Sequence, residues 1–334
     1  MSIVILRPGL LTTIQDLGRF GYQKYGVIVS GAMDPYALRI ANLLVGNDEG
    51  AASLEITVTG PFLKFEQDCL IAITGGDLSP SIENVLVPLW KPVLVRKGTV
   101  LQFGACNKGC RAYLAVAGGF SVDEVMGSCS TYLRANLGGF QGRALQKGDI
   151  VSLKVPTEQN KAIEQICSLT EPYFSTTSWN VNTEWIRQDI EINTIRVIAG
   201  THFDLFTEEC RNSFYHNTFT ITPQSDRMGY RLSGPDLQLI NPFEMLSEAV
   251  TLGTIQVPAD GNPIILLADR QTTGGYPRIG QVVSVDNPTL AQLKPGEKIR
   301  FKKVSIEEAE ALYISRENEL NELKTGLNLK LNKK

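Results

Sequence analysis

Histidine is almost missing from this chain. The 334 residues include two, His202 and His216, and neither sits in a metal-binding motif, so chemistry built on paired histidines is set aside. Excess charge of either sign is also missing. Lys and Arg number 32 against 35 Asp and Glu, a net charge of −3 with the signs interspersed. There is no basic stripe to hold nucleic acid or an anionic membrane surface. No apolar run approaches the roughly 20 residues that cross a bilayer. The segment from Met1 to Pro8 lacks the charged start and long apolar centre of a secretion signal. A cytoplasmic protein is expected. The six cysteines are scattered and only Cys106 and Cys110 lie close together, with no zinc spacing, which points to free thiols in a reducing compartment. The phosphate loop and the dinucleotide fingerprint are both absent.

What the chain does contain is strand-like text. Apolar residues make up 43% and charged residues 20%, the balance of a folded globular protein, and the length suits two domains. The stretch from Pro263 to Pro277 stands out. Ile264 to Ala268 is a short apolar run, the pattern of a strand buried on both faces. It stops at Asp269 and is followed by Arg270, Gln271, Thr272, Thr273, Gly274, Gly275 and Tyr276. A buried strand ending in a dense polar group is where a scaffold presents a site, and the glycine pair lets backbone approach a ligand. A second polar group, Gln15, Asp16 and Arg19, follows the half-apolar run from Leu10. A third stretch, from Arg134 to Arg143, carries Gly138, Gly139 and Gly142 between two arginines. It reads as a functional loop in which Arg134 and Arg143 are placed to clamp a carboxylate or a phosphate.

Local signals divide the rest. Asp34 before Pro35 is a helix start, with Asp as cap, and that capping is a complete structural reason for the residue. Ser121 to Glu124 has capping-box spacing and is expected to open a helical turn, and Ser305 to Glu308 repeats the spacing before a C-terminal helix. Asp260 and Gly261 lie between two strand-like runs, a hairpin signal. A small repeat recurs at Arg96, Gln146 and Lys294, each followed by one residue, a glycine and an alternating strand. The pair Asp16 to Tyr22 and Ser225 to Tyr230 is a second echo, and together they suggest two related β-rich halves. The expected division is an N-terminal β-rich domain over 1–155, a connecting segment over 156–190, a C-terminal β-rich domain over 191–304, and a helix with a frayed basic tail over 305–334.

Five segments in this order carry a resemblance: Pro8 to Arg19 (PGLLTTIQDLGR), Gly31 to Asp34 (GAMD), Ala41 to Asn47 (ANLLVGN), Ala115 to Phe120 (AVAGGF) and Ala268 to Arg278 (ADRQTTGGYPR). From about residue 3 to 304 the chain resembles the family of the 5-oxoprolinase C subunit. That family is also called allophanate hydrolase subunit 2, the biotin-dependent carboxyltransferase-like family, and the KipA family. The resemblance implies a mainly β fold with a few short helices and two cyclophilin-like β-barrel domains. It implies partnership with the B and A subunits of 5-oxoprolinase, a small-molecule substrate, and ring opening of 5-oxoproline to L-glutamate driven by ATP. ATP is then a substrate of the complex, with Mg2+ as the candidate metal; no metal ligands are assigned on this chain. The chain has no biotin-attachment signature and no ATP-grasp region, so biotin is not expected to be attached to it.

On this reading Asp269, Arg270, Gln15 and Asp16 are the candidate catalytic residues. Arg19, Gln271, Thr272, Thr273, Gly274, Gly275, Tyr276 and Arg134 are candidates for substrate binding. Arg270 or Arg19 would bind a carboxylate or phosphate, and Asp269 or Asp16 would orient a proton or a metal. The two groups are expected to face one cleft completed by the B subunit. Read as packing alone, Asp16 with Arg19 and Asp269 with Arg270 are ion pairs that brace loops. Two other functions stay open: a carboxyltransferase component acting on urea, and a non-catalytic antagonist of a sporulation kinase inhibitor.

Overall fold

The structure, a computed structural model, describes residues 1–182, 192–242 and 245–332. The chain forms two units. The first comprises Met1–Arg19, Ser30–Gln188 and Leu320–Lys334; the second comprises Phe20–Val29 and Asp189–Glu319.

The first unit is built on two sheets. One has six strands, in the order Ile150–Ser152, Ser2–Arg7, Phe62–Phe65, Val100–Gln102, Ser81–Ile82 and Val85–Leu86. The other has seven, in the order Leu169–Thr170, Phe174–Thr176, Pro92–Val95, Cys69–Asp77, Lys108–Val116, Ser53–Thr57 and Leu11–Gln15. Both contribute to one core, with Ile3, Ile5, Leu63 and Phe65 from the first packed with Ile14, Ile56, Ile71, Ile73 and Leu114 from the second. The other face of the seven-stranded sheet is covered by the helix Pro35–Val45, whose Leu38, Ala41 and Leu44 pack on Leu70, Ala72 and Ala115. Burial on both faces explains why Leu70 to Ile73 and Ala112 to Ala117 read as continuous apolar runs. The helix starts where expected. The Asp34 carboxylate accepts from the Ala37 amide at 2.9 Å, a cap contributing about 1 kcal/mol.

The second unit is a closed barrel of seven strands, in the order Asn193–Ala199, Arg278–Val282, Thr254–Gln256, Ile264–Leu266, Gly229–Ser233, Thr218–Ile221 and Lys298–Lys303. Stacked Phe214 and Phe301, with Phe219 against both, fill part of its inside. The Asp260–Gly261 hairpin forms as expected, pairing Thr254–Gln256 with Ile264–Leu266. The expectation of a mainly β chain with few helices holds. The closed barrel belongs to the second unit, whereas the strands of the first form the two sheets above.

The threefold repeat has a physical basis. The amides of Thr99, Asp149 and Glu297 donate to the carbonyls of Arg96, Gln146 and Lys294. The intervening Gly98, Gly148 and Gly296 have φ of +84°, +92° and +91°. These are type II turns, which demand a positive φ at the third position, and each feeds a strand. The box at Ser305 and Glu308 also forms, reciprocally, at 2.7 and 3.2 Å.

Four expectations need correction. Residues 156–190 are not a plain connection between domains: Glu158–Gln165 is a helix, and Leu169–Thr170 and Phe174–Thr176 are strands of the first unit; residues 183–190 lie outside the described residues. The two strands are two and three residues long, with Ser175 and Thr176 buried, so no alternation shows in the sequence. The boundary at 155 therefore does not separate the units. Ser121 to Glu124 forms no helix, because the segment runs only to Gly127, at φ +73°, and so short a helix is not stable on its own. The tail after Gly326 is helical through Asn332, since Leu327 is buried in the cluster around the Pro35–Val45 helix.

Candidate functional site

The Gln15, Asp16 and Arg19 group lies at the end of the edge strand Leu11–Gln15. All three are buried. Ser128 and Ser130 hydroxyls and the Cys129 and Gly18 amides all donate to the Asp16 carboxylate, Ser128 at 2.7 Å and Cys129 at 2.6 Å. Arg19 donates to the carbonyls of Val125 at 2.8 Å and Ser130 at 3.0 Å. Gln15 Nε2 donates to Thr13 Oγ1 and to the Thr131 carbonyl, while its Oε1 is buried without a partner. The three side chains hold the segment 125–131 in place. Burial, with the nearby Asp16 carboxylate, pushes the Cys129 thiol up to about 11, which keeps it a thiol rather than a nucleophile.

The loop from Arg134 to Arg143 packs on the same segment. A Cβ on Gly138 would fall 2.2 Å from the Ser130 carbonyl oxygen, so only glycine admits this approach. Arg134 is exposed on a short 3-10 turn. Arg143 does not await a ligand. It grips Asp149 with both terminal nitrogens, at 2.7 and 2.8 Å, and lies over the Phe140 ring. This pairing raises the guanidinium's pKa and lowers the carboxylate's.

In the barrel unit the stretch after Ile264–Leu266 leaves the barrel and returns at Arg278. Asp269 is locked at once: its amide donates to the Arg227 carbonyl, and Arg227 grips its carboxylate at 2.8 and 3.1 Å. Both side chains are less than 10% exposed, at 7% and 8%. Neither local ion pair expected as a brace forms. Asp269 is paired with Arg227 rather than Arg270, and Asp16 is bonded to the 128–130 segment rather than to Arg19.

Arg270 is the contrast. Its Nη1 donates to the Leu267 carbonyl at 3.3 Å, its Nε is buried without a partner, and no carboxylate among the described residues pairs with it. Burial alone pushes its pKa down to about 10, the signature of a cation held away from water with no counter-charge.

Gln271 and Thr272 are part-buried, and Thr273, Gly275 and Tyr276 are exposed. Thr273–Gly274 pairs with Glu248–Ala249 as a short ribbon, and the Val250 amide donates to the Thr272 carbonyl. Beneath it lies the buried Gln256. At the far end, Arg278 forms an ion pair with Glu248, and its amide donates to His202 Nδ1 at 3.2 Å. An amide N–H can only donate, so His202 Nδ1 is the acceptor of a neutral ring. Among the described residues no group of three or more His, Cys, Asp or Glu is placed to hold a metal ion.

Sequence reasoning passed over Arg227, Gln256, His202, Ser128 and Ser130. Arg227 had one signal, the echo of Asp16 to Tyr22 at Ser225 to Tyr230. Gln256 had another, a polar residue alternating with Ile255 and Val257.

Residues 25–303 match the family described as the carboxyltransferase domain, subdomain A and B. The chain is 37% identical to the 5-oxoprolinase C subunit of Haemophilus influenzae over 314 residues, which is 92% of each chain. It is 38% identical to the 5-oxoprolinase C subunit of Escherichia coli over 305 residues, 91% of this chain and 92% of that one. Among solved structures it is similar to the urea carboxylase of Kluyveromyces lactis, with a TM-score of 0.85 and 32% identity, covering 98% of this chain but 29% of that larger one.

Proposed function

The chain belongs to the carboxyltransferase-domain family, subdomains A and B, and from that premise we propose that it is the C subunit of an ATP-dependent 5-oxoprolinase. It acts in the cytoplasm with the A and B subunits, and the complex opens 5-oxoproline to L-glutamate. ATP activates the ring amide by phosphorylating its oxygen. Water then adds at the carbon, the C–N bond breaks as nitrogen takes a proton, and the acyl phosphate left behind is hydrolysed by a second water to the carboxylate and free phosphate. The substrate is anionic and negative charge builds during attack, so the complex needs fixed donors and a cation.

The observation that carries this reading is Arg270, a mostly buried guanidinium with an unpartnered Nε and, among the described residues, no carboxylate paired with it. A cation kept in that state is suited to an anionic ligand, and a guanidinium matches a carboxylate in geometry. Asp269, neutralised by Arg227, sets the start of the loop that presents Arg270, Gln271 and Thr272. Asp16 and Arg19 shape the 125–131 segment of the other unit.

The test is ATP-dependent 5-oxoproline hydrolysis by the A and B subunits with and without this chain. Activity is expected only with it, and activity persisting in its absence would overturn the proposal. Arg270→Gln in the full complex should raise the KM for 5-oxoproline about 100-fold, the loss of one charge-assisted pair. The likeness to urea carboxylase favours a second reading, carboxyl transfer to urea; release of carboxyl from carboxybiotin in the presence of this chain and urea would select it.

A further inference from the structure

Gln256 is 1% exposed, yet it does not point into the barrel. Its neighbour Ile255 does. A Cβ on Gly280 would meet Ile255, Phe214 and Val197 together, which places Ile255 on the apolar side. Alternation then turns Thr254 and Gln256 to the opposite face. That face is buried because the Thr273–Gly274 ribbon lies over it. A Cβ on Gly274 would fall 2.3 Å from Gln256 Nε2 and 3.0 Å from its Oε1. Glycine is required there because the carboxamide occupies the space.

The orientation of that carboxamide follows from its one bond. Nε2 donates to the Tyr276 carbonyl at 3.4 Å; the flipped amide would set two oxygens against each other. Oε1 is thereby presented as an acceptor, and it receives no hydrogen bond from the described residues. Directly opposite in the ladder is Arg278. Its terminal nitrogens serve the Ala249 carbonyl and Glu248, and its Nε is buried without a partner. A spare acceptor and a spare donor thus stand on facing residues of two adjacent strands, where opposed side chains lie about 5 Å apart. Leaving Arg278 Nε buried and unmet costs roughly 1–3 kcal/mol, and an apolar side chain of similar size would fill the space of Gln256 without offering an acceptor.

We infer that Gln256 and Arg278 read the amide of the substrate, Oε1 accepting from its N–H and Arg278 Nε donating to its carbonyl oxygen. The ligand class is a lactam. A small ring forces the cis amide, which presents N–H and C=O along one edge, the complement of this pair. A trans amide turns them to opposite sides. This assignment rests on the reading of the protein as part of a lactam-opening complex and adds the residues that select the substrate.

The experiment uses the full complex and two probes, 5-oxoproline and the lactone carboxylate of the same ring, in which oxygen replaces N–H. Binding of both is measured by calorimetry, and turnover of the first is followed. The unaltered complex should prefer the lactam by about 10- to 100-fold, because an unmet buried acceptor penalises the lactone. Gln256→Leu should erase most of that preference, raising KM for 5-oxoproline far more than it lowers kcat, with the thermal midpoint unchanged or higher. Gln256→Met removes the acceptor at similar length and should lose the preference as well. An unchanged lactam-to-lactone ratio in Gln256→Leu would overturn the inference, as would a folded Gln256→Met variant that keeps the ratio. If the unaltered complex binds the lactam selectively but does not open it, the functional reading fails and the assignment of Gln256 stands. If it binds neither probe, both fail.

Discussion

The two polar groups that looked alike as text have opposite fates in their units. Near the amino end, Asp16 has both oxygens engaged by hydroxyls and amides of the 128–130 segment, and Arg19 is turned onto backbone carbonyls. In the barrel unit, Asp269 is equally engaged, by Arg227, but Arg270, Gln256 and Arg278 keep hydrogen-bonding capacity in hand. Gln15 Oε1 is unmet near the amino end too, so the contrast lies in the arginines: Arg19 donates to two backbone carbonyls and braces a loop, whereas Arg270 donates to one at 3.3 Å. What separates them is whether the surrounding chain already supplies the partner, because a satisfied buried charge has nothing left to offer a ligand.

That contrast can be broken most forcefully at the Asp269–Arg227 pair. Asp269→Ala strands a buried guanidinium and should cost the barrel unit about 3–5 kcal/mol, read from the denaturant midpoint of its transition. A barrel that tolerates the change would mean the pair is not a brace. Next in size, Asp16→Ala removes the acceptor for several donors around residue 129. It should destabilise the first unit by about 2–3 kcal/mol, again by denaturant titration. A loss of turnover without loss of stability would instead move Asp16 from support to chemistry.

Arg270→Met sharpens the comparison by its small effect. With no carboxylate to strand among the described residues, stability should change by less than about 1 kcal/mol, and rise if anything. A destabilisation as large as that of Asp269→Ala would show a hidden partner. The smallest effect concerns pH. Burial, and then Arg278, lower the pKa of His202 from 6.5, against an opposing pull from Glu248. The fold therefore favours the neutral ring. Its contribution is fully present above the unfolded value near 6.5 and is lost as pH falls from there through the folded pKa. Below pH 6.5 the stability of the unaltered barrel should drop more steeply than that of His202→Asn; equal slopes would remove the ring from the account.

Much of the scaffold was legible because its rules are local. Asp34 before Pro35, the three turns at Gly98, Gly148 and Gly296, the box at Ser305 and the hairpin at Asp260 each follow from a few adjacent residues. The expectation failed at Ser121, where spacing was right but Gly127 cuts the segment short, and over 158–176, where strands of two and three residues are too short to show a pattern. At Arg143 it missed that Asp149, close in sequence, already fills the guanidinium.

By itself the sequence determined that the chain is rich in strands, where its helices and turns begin, and which polar segments leave the core. Short-range sterics and alternation settle those matters within a few residues. Only the tertiary structure decided which of those polar groups have partners. Arg227 meets Asp269 across 42 positions and Ser130 meets Asp16 across 114. Gln256 is buried because a ribbon returns over the outside of the barrel. Such meetings depend on strand register and barrel closure, which sum weak preferences over the whole chain and leave no mark at any one residue.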